Sequence, residues 1–324
     1  MLPTLRQLQY LKLLAEHGSF SRAAEAAHVT QPTLSAGIQE LEKILGTPMV
    51  DRARSGVILT AVGEETLHRA GDILARSEDL VQAARSAGQP LTGRFRLGVI
   101  PTVAPYLLPK ALPLLRTRFP KLSLFLREDL THRLIAALKS GALDAALIAL
   151  PYETSGLESA HVSDDELLAA LPFGHHLSHG AQVAPESLED EELILLEDGH
   201  CLREHALAVC GLEPPRLGEE GFAATSLHTL VQMVGSGLGV SLVPAMAVEA
   251  GLARGVPISV LHLSADAPQR EIVTVWRKGS SRAVEGRMLA EAFKDAGIAG
   301  TVPSPLEGEG QGGGRHRQLV RPQD

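Results

Sequence analysis

The sequence predicts a multi-domain α+β protein: a helical N-terminal unit and one long helix, followed by a larger α/β region. Three observations carry this expectation. Apolar residues recur at helical spacing through the first 45 positions, with Gly18 and Gly46 as breaks. A single helical pattern runs unbroken from about Gly63 to Gly88. From Gly93 onward, strand-like and helix-like runs alternate, the pattern of an α/β domain with parallel-sheet units.

Composition bounds the function. A chain of 324 residues accommodates two or three domains, each able to bury a core. Hydrophobic residues at 44% and charged residues at 21% are ordinary for a globular protein, while aromatics at 3% leave the core to Leu, Val, Ile and Ala. A net charge of -8 excludes indiscriminate coating of nucleic acid, but not a specific reader whose contact face alone is basic. Arg6, Lys12 and Glu16 interrupt the N-terminal apolar residues, so no signal peptide is expected. No run reaches the roughly 18 apolar residues of a membrane span. The expectation is a cytoplasmic protein with reduced thiols and no membrane partner. Its two cysteines, Cys201 and Cys210, are too few for a disulfide framework; they are either small hydrophobes or a redox pair. The histidines lack a ligand spacing such as His-x3-His beside suitable partners, so neither a metal nor an organic cofactor is expected.

The elements follow in order. Residues 3–18 place Leu5, Leu8, Leu11, Leu14 and Ala15 on one helical face; Gly18 stops the helix and Ser19 can cap the next. Ser21–Ala27 is a short Ala-rich helix, and His28-Val29-Thr30 is a turn. Gln31-Pro32 opens a third helix with inner face Leu34, Ile38, Leu41 and Leu45. Residues 47–62 have strand character on both sides of Arg54-Ser55-Gly56. The long helix that follows carries Leu67, Ala70, Ile73, Leu74, Leu80, Val81 and Ala84 along one side, a stripe suited to packing on a second copy. After the 89–93 linker, strands are expected at Phe95–Ile100, Leu122–Glu128, Ala145–Ala149, Leu167–Pro172, Leu193–Leu196, Gly239–Pro244 and Ile272–Trp276. Helices are expected at Pro105–Phe119, His132–Ser140, Ser226–Gly235, Met246–Ala253 and Arg282–Ala296. From residue 299 the chain is rich in Gly, Pro and charge and is expected to be disordered.

A helix, a tight turn and a second helix with a polar outer face form a helix-turn-helix, although any three-helix cluster can imitate the pattern. Residues 21–45 fit. Gln31, Thr33, Ser35, Gln39 and Lys43 can reach base edges and phosphates, with Pro32 at the helix start and Ser21 and Arg22 on the preceding helix. Arg52 and Arg54 on the hairpin are placed for a neighbouring phosphate or minor groove.

The run SFSRAAEAAHVTQPTLSAGIQELEKILG, followed by LTAVGE, resembles the winged helix-turn-helix of LysR-type transcriptional regulators. Pro48-Met49-Val50-Asp51-Arg52 departs from the Leu-Phe that usually precedes the acidic residue and arginine there, which bears on packing under the wing. The resemblance spans about residues 2–297. It implies a winged helix-turn-helix at 1–62, a linker helix and hinge at 63–92, and a periplasmic-binding-protein-like α/β effector domain at 93–298. That domain would have subdomain I at about 93–163 and 268–298, and subdomain II at about 164–267, with 299–324 as tail. The implied partners are double-stranded promoter DNA, RNA polymerase and further copies of the chain as a dimer of dimers.

Family clefts usually hold a small metabolite, which is the alternative reading here. Against it stands LEDGHCLREHALAVC, residues 196–210, which resembles the peroxide-sensing OxyR branch with its GHC-x8-C arrangement. By that resemblance Cys201 is the peroxidatic cysteine and Cys210 the resolving one. Thr102, Thr131, His200 and Arg270 are then the peroxide pocket, with Arg203 an alternative cation or a surface charge. Without the resemblance, Thr102 and Thr131 read as helix caps. If residues 201–210 are helical, nine steps of about 1.5 Å separate the two Cα atoms by roughly 13 Å. A disulfide tolerates about 7 Å. Bond formation would require the segment to unwind, the bistable element of a switch. The implied signal is hydrogen peroxide, with reset by glutathione or thioredoxin-type reductants. Peroxide is consumed stoichiometrically, so the chain is not read as an enzyme; a thiol peroxidase would leave the helix-turn-helix unexplained.

Overall fold

The structure is a computed structural model that describes residues 1–53, 56–85, 89–213, 223–264 and 269–297. The N-terminal domain packs α1 (Leu5–His17), α2 (Phe20–Ala26) and α3 (Gln31–Leu45) beneath a hairpin of β1 (Val50–Ala53) and β2 (Gly56–Leu59). Thr4 and Gln7 cap α1 reciprocally, and Thr30 accepts the Thr33 N–H to start α3. Gly18 and Gly46 end their helices in the left-handed region. Ser19 occupies the cap position of α2, but its side chain makes no cap bond.

Leu8, Leu11, Leu14, Ala23, Leu34, Ile38 and Leu41 form the core of this domain. Leu5 and Leu45, expected on inner faces, are exposed. Tyr10 is buried in the same core, its ring against Gly37, where a Cβ would come within 2.6 Å of it. Glu42 Oε1 accepts the N–H groups of Met49 and Val50, tying α3 to the hairpin. The unusual Met49 is fully buried, so the Pro-Met departure still fills the space under the wing. Arg54 and Ser55, at the hairpin turn, lie outside the described residues.

The long helix α4 runs Ala61–Arg85, and residues 86–88 lie outside the described residues. Its start is pressed onto the hairpin at Gly63, where any Cβ would overlap the Met49 carbonyl oxygen. Ala70 and Ala75 are buried, whereas Ile73, Leu80 and Val81 of the expected stripe are exposed, Leu80 by 72%.

The larger domain holds two sheets. The first combines β3 (Gly93–Val99), β4 (Leu122–Glu128) and β5 (Ala145–Leu150) with β6 (Leu157–Asp165); α5 (Ala104–Arg118) and α6 (Thr131–Lys139) connect its parallel strands. The chain then passes to β7 (Leu167–Pro172), β8 (Gln182–Val183), β9 (Leu195–Leu196), α7 (Cys201–Val209), β10 (Ala223–Ala224) and α8 (Leu227–Gly235). After β11 (Ser241–Pro244), α9 (Ala245–Glu249) and β12 (Ile258–Leu263), β13 (Arg270–Arg277) returns to the first sheet and α10 (Ala283–Asp295) covers it. The orders are β4-β3-β5-β13-β6 and β11-β7-β12-β8, with β9 and β10 paired separately.

Two differences from the sequence expectation stand out. Strands β6, β8, β10 and β12 were not anticipated: β6 is LESAHVSDD and too charged to read as a strand, yet it pairs with β13 over its whole length. The sheets are mixed, since β5, β6 and β7 meet their longest partners antiparallel; β4-β3-β5 is the main parallel unit, and β9-β10 and β8-β12 are two-residue parallel pairs. The reason is that β13 arrives from the second lobe rather than through a crossover helix. The core is continuous through both lobes and consists mainly of Leu, Val, Ile and Ala around Trp276, Phe95 and Phe293. Residues 298–324, including the tail expected to be disordered, lie outside the described residues. Among the described residues, no helix is long and apolar enough to cross a membrane.

Candidate functional site

The site is built where the two lobes join. β6 leaves the first sheet at Asp165 and β13 re-enters it at Arg270, and these two residues are register partners. Both side chains are 1% exposed. Arg270 donates from Nε and Nη2 to Asp165 Oδ2 at 2.8 and 2.6 Å, from Nη1 to Thr102 Oγ1 at 2.9 Å, and from Nη2 to the Thr102 carbonyl at 3.2 Å. Asp165 also accepts the Met246 N–H through Oδ1 at 3.0 Å. One buried ion pair thus joins the turn after β3, both inter-lobe strands and the start of α9.

The loop before α7 is shaped by Gly199, whose φ of 90° is strained for any side chain and which a Cβ would crowd against His132 and Leu130. Arg203 is not a surface charge: it reaches back to the Leu196 carbonyl at 3.1 Å and to Asp198 at 2.9 Å, fixing the helix entry. His200 then occupies the cap position and Cys201 is the first residue of α7. Cys201 is 2% exposed. Burial pushes its thiol pKa up, opposed by the Arg270 charge, the Thr131 hydroxyl and the Ala149 main chain. The partial positive charge of the helix N-terminus acts in the same direction as Arg270.

Thr131 is the first residue of α6 and fully buried; its Oγ1 makes no complete hydrogen bond, but it lies close enough to the thiol to favour the thiolate. Neither threonine is a helix cap: Val103 caps α5 and Leu130 caps α6. Thr102 accepts from Arg270, which leaves its hydroxyl proton available to donate. His200 is largely buried, and burial lowers its pKa against the opposing charge of Glu197. Thr102, Thr131, Cys201 and Arg270 therefore form one buried cluster. In front of it lies a cavity of about 290 Å³ whose lining includes Thr102, His200, Tyr106, Glu128 and His228, but neither Cys201, Thr131 nor Arg270. Burial also pushes the Tyr106 pKa up to about 12, and its ring stacks on His228.

Two residues of this cluster escaped sequence reasoning. Asp165 lies in the unanticipated strand β6 and carries no sequence signal. His205 is one helical turn beyond Cys201 on the same face of α7, a spacing that could have been read. It is buried; its Nε2 lies 3.1 Å from the Pro151 carbonyl and its Nδ1 has no partner. Burial lowers its pKa. Cys210 closes α7 at the other end, 1% exposed, with its pKa pushed up to about 11 by burial and by Glu189. Both cysteines are free thiols, held apart by the intervening helix.

In the N-terminal domain Gln31, Pro32, Thr33, Gln39 and Lys43 are exposed on α3, as are Ser21 and Arg22 on α2, and Ser35 is half-buried. The Thr33 hydroxyl is 2.8 Å from that of Thr30 and is engaged in the cap. Arg52 lies in β1.

Residues 5–64 match the bacterial regulatory helix-turn-helix protein of the lysR family, and residues 88–296 match the LysR substrate binding domain. The dual regulator OxyR of Escherichia coli K12 is 38% identical over 90% of this chain and 94% of its own. The transcriptional regulator EstR of Acinetobacter baylyi is also 38% identical, over 90% of this chain and 97% of its own. A cysteine-to-aspartate variant of full-length OxyR from Pseudomonas aeruginosa superposes with a TM-score of 0.72 at 34% identity, covering 92% of this chain and all of the other. A hydrogen-peroxide-bound cysteine variant of Corynebacterium glutamicum OxyR gives 0.62 at 33% identity, covering 91% and 93%. The chain belongs to the LysR family of DNA-binding transcriptional regulators, which are not enzymes.

Proposed function

We propose that this regulator senses hydrogen peroxide through Cys201 and Cys210 and switches antioxidant gene expression. The observation that carries the reading is the buried cluster around Cys201: a thiol at a helix N-terminus, acted on by the Arg270 charge and the Thr131 hydroxyl, with Arg270 bonded to the Thr102 that lines an inter-lobe cavity. The Cys201 thiolate attacks one peroxide oxygen, the O–O bond breaks, and hydroxide leaves with a proton to become water. Thr102 and Thr131 orient the peroxide, and Arg270 and His200 stabilise the departing oxygen. The Cys210 sulfur then attacks the sulfenic acid, forming the S–S bond and releasing a second water. In sum, two thiols and one peroxide give one disulfide and two waters.

The second step cannot occur across an intact α7, so oxidation drives the 201–210 segment to refold. The change passes to the effector-domain dimer and to the DNA-binding domains, altering promoter contacts and RNA polymerase recruitment. The exposed stripe on α4 supports a linker-helix dimer, and a dimer of dimers fits the family pattern. Cellular glutathione or thioredoxin-type reductants reset the switch.

The test is intact mass with thiol labelling of reduced protein before and after a low-micromolar peroxide pulse. Loss of two thiols, with Cys201 mapped to Cys210, is expected; two thiols still free at higher peroxide would overturn the reading. One observation favours a second reading, a small organic effector in the cleft. The cavity of about 290 Å³ lies at the lower end of small-molecule pocket sizes, roughly 300–1,000 Å³. A regulatory response that survives Cys201→Ser would select it.

A further inference from the structure

We infer that His175, His176 and Glu191 bind a divalent transition-metal ion with the ligand preferences of zinc, at a site separate from the cysteine switch. Each offers one ligand atom, and these atoms all lie within 4.8 Å of one another; among the described residues they are the one such group of three or more. Glu191 Oε2 is 3.4 Å from His175 Nε2, and Glu191 Oε1 is 3.2 Å from His176 Nε2. Two donors bound at about 2.0–2.1 Å on a tetrahedral zinc lie roughly 3.3 Å apart, so the carboxylate already stands at ligand spacing from each imidazole, through a different oxygen for each. Two imidazoles and a carboxylate are a donor set for zinc, copper or nickel rather than for magnesium or calcium, which prefer oxygen alone.

The ligands stand on two structured turns. The His175 N–H donates to the Pro172 carbonyl at 3.1 Å, and its own carbonyl accepts the Ser178 N–H at 2.9 Å. The Glu191 N–H donates to the Leu188 carbonyl at 3.2 Å. The side chains of His175 and Glu191 are 16% and 19% exposed, so their geometry is constrained, while His176 at 69% leaves the ion open to solution. Three protein donors leave a fourth position for water. Glu189, Asp190 and Glu192 surround the carboxylate in sequence and give the approach a negative potential. Binding has one local cost. The Leu177 N–H points at His175 Nδ1 at 3.4 Å, and an ion on Nε2 moves the ring proton to Nδ1 and forfeits that long bond. Adjacent histidines with a distant glutamate form no ligand spacing in sequence; only the approach of the two turns assembles them.

Glu189, on the same turn as Glu191, reaches Gly211 next to Cys210, so the site stands beside the far end of α7 from Cys201. The inference is independent of the redox reading. Thiols also bind zinc, so the test uses full-length protein with both cysteines replaced by serine, titrated calorimetrically with zinc chloride. Saturable uptake of one zinc per chain is expected, weakened tenfold or more by His175→Ala with His176→Ala, since losing two ligands costs at least the roughly tenfold of losing a ligand's hydrogen-bond partner. Glu191→Gln should weaken it as well. Circular dichroism of each variant reports that the fold is kept, which the exposure of His176 favours. No saturable uptake, or an affinity unchanged in the double-histidine variant, would overturn the inference.

Discussion

Arg270 and Asp165 face each other as register partners on the two strands that join the lobes, and their buried ion pair also holds the turn that carries Thr102. The same guanidinium that fixes the inter-lobe geometry is thus the charge that opposes the burial-raised pKa of Cys201. Removing one member of such a pair strands the other without water.

Asp165→Asn should therefore destabilise the regulatory domain by about 3–5 kcal/mol, the usual cost of breaking a buried pair. Urea unfolding of the reduced protein measures this. A loss well under 1 kcal/mol would mean that water reaches the pair.

Arg270→Lys keeps the charge but not the planar fork that serves Asp165 and Thr102 together. Oxidation of Cys201 by peroxide should slow by about tenfold or more, an effect on the order of one misplaced charge-assisted hydrogen bond. Stopped-flow oxidation at matched pH is the measurement, and an unchanged rate would remove Arg270 from the chemistry.

The thiol of Cys210 is pushed from 9.0 up to about 11 in the folded protein. Its ionisation is easier in the unfolded chain, so the stability it contributes is intact below pH 9 and is lost between pH 9 and 11. Cys210→Ala should flatten that alkaline decline in thermal melts. Iodoacetamide should also label Cys210 far more slowly in the native protein than in urea.

His205 and His200 are both held neutral by burial, with pKa values below the ordinary 6.5. Unfolding lets them bind protons, so stability present above pH 6.5 is lost as the pH falls below it. His205→Gln should lessen the acid decline, as read by midpoint shifts between pH 7 and 5. An equal decline in the variant would assign the acid sensitivity elsewhere.

Lys43 is exposed on α3 and Gln39 precedes it by one turn. Lys43→Ala should weaken DNA binding across sequences and reduce the salt slope by about 1. Gln39→Ala should cost about 1–3 kcal/mol and relax the preference at one base position. Fluorescence anisotropy on a selected operator and on scrambled DNA separates the two effects.

The helix-turn-helix and α4 were legible in the sequence, because helical periodicity and glycine stops are local signals; a helix between the cysteines entered only as a condition. Strand β6 was not legible, since its charged residues meet their partners only across β13. The sequence by itself determined which chemistries were at hand: two thiols nine positions apart, and threonines after strands. Tertiary structure alone decided that Arg270 serves Cys201 while Arg203 anchors the loop, that Asp165 balances Arg270, and that two histidines meet Glu191. Those relationships join residues far apart in the chain, and burial and charge act through distance in space, which no local pattern encodes.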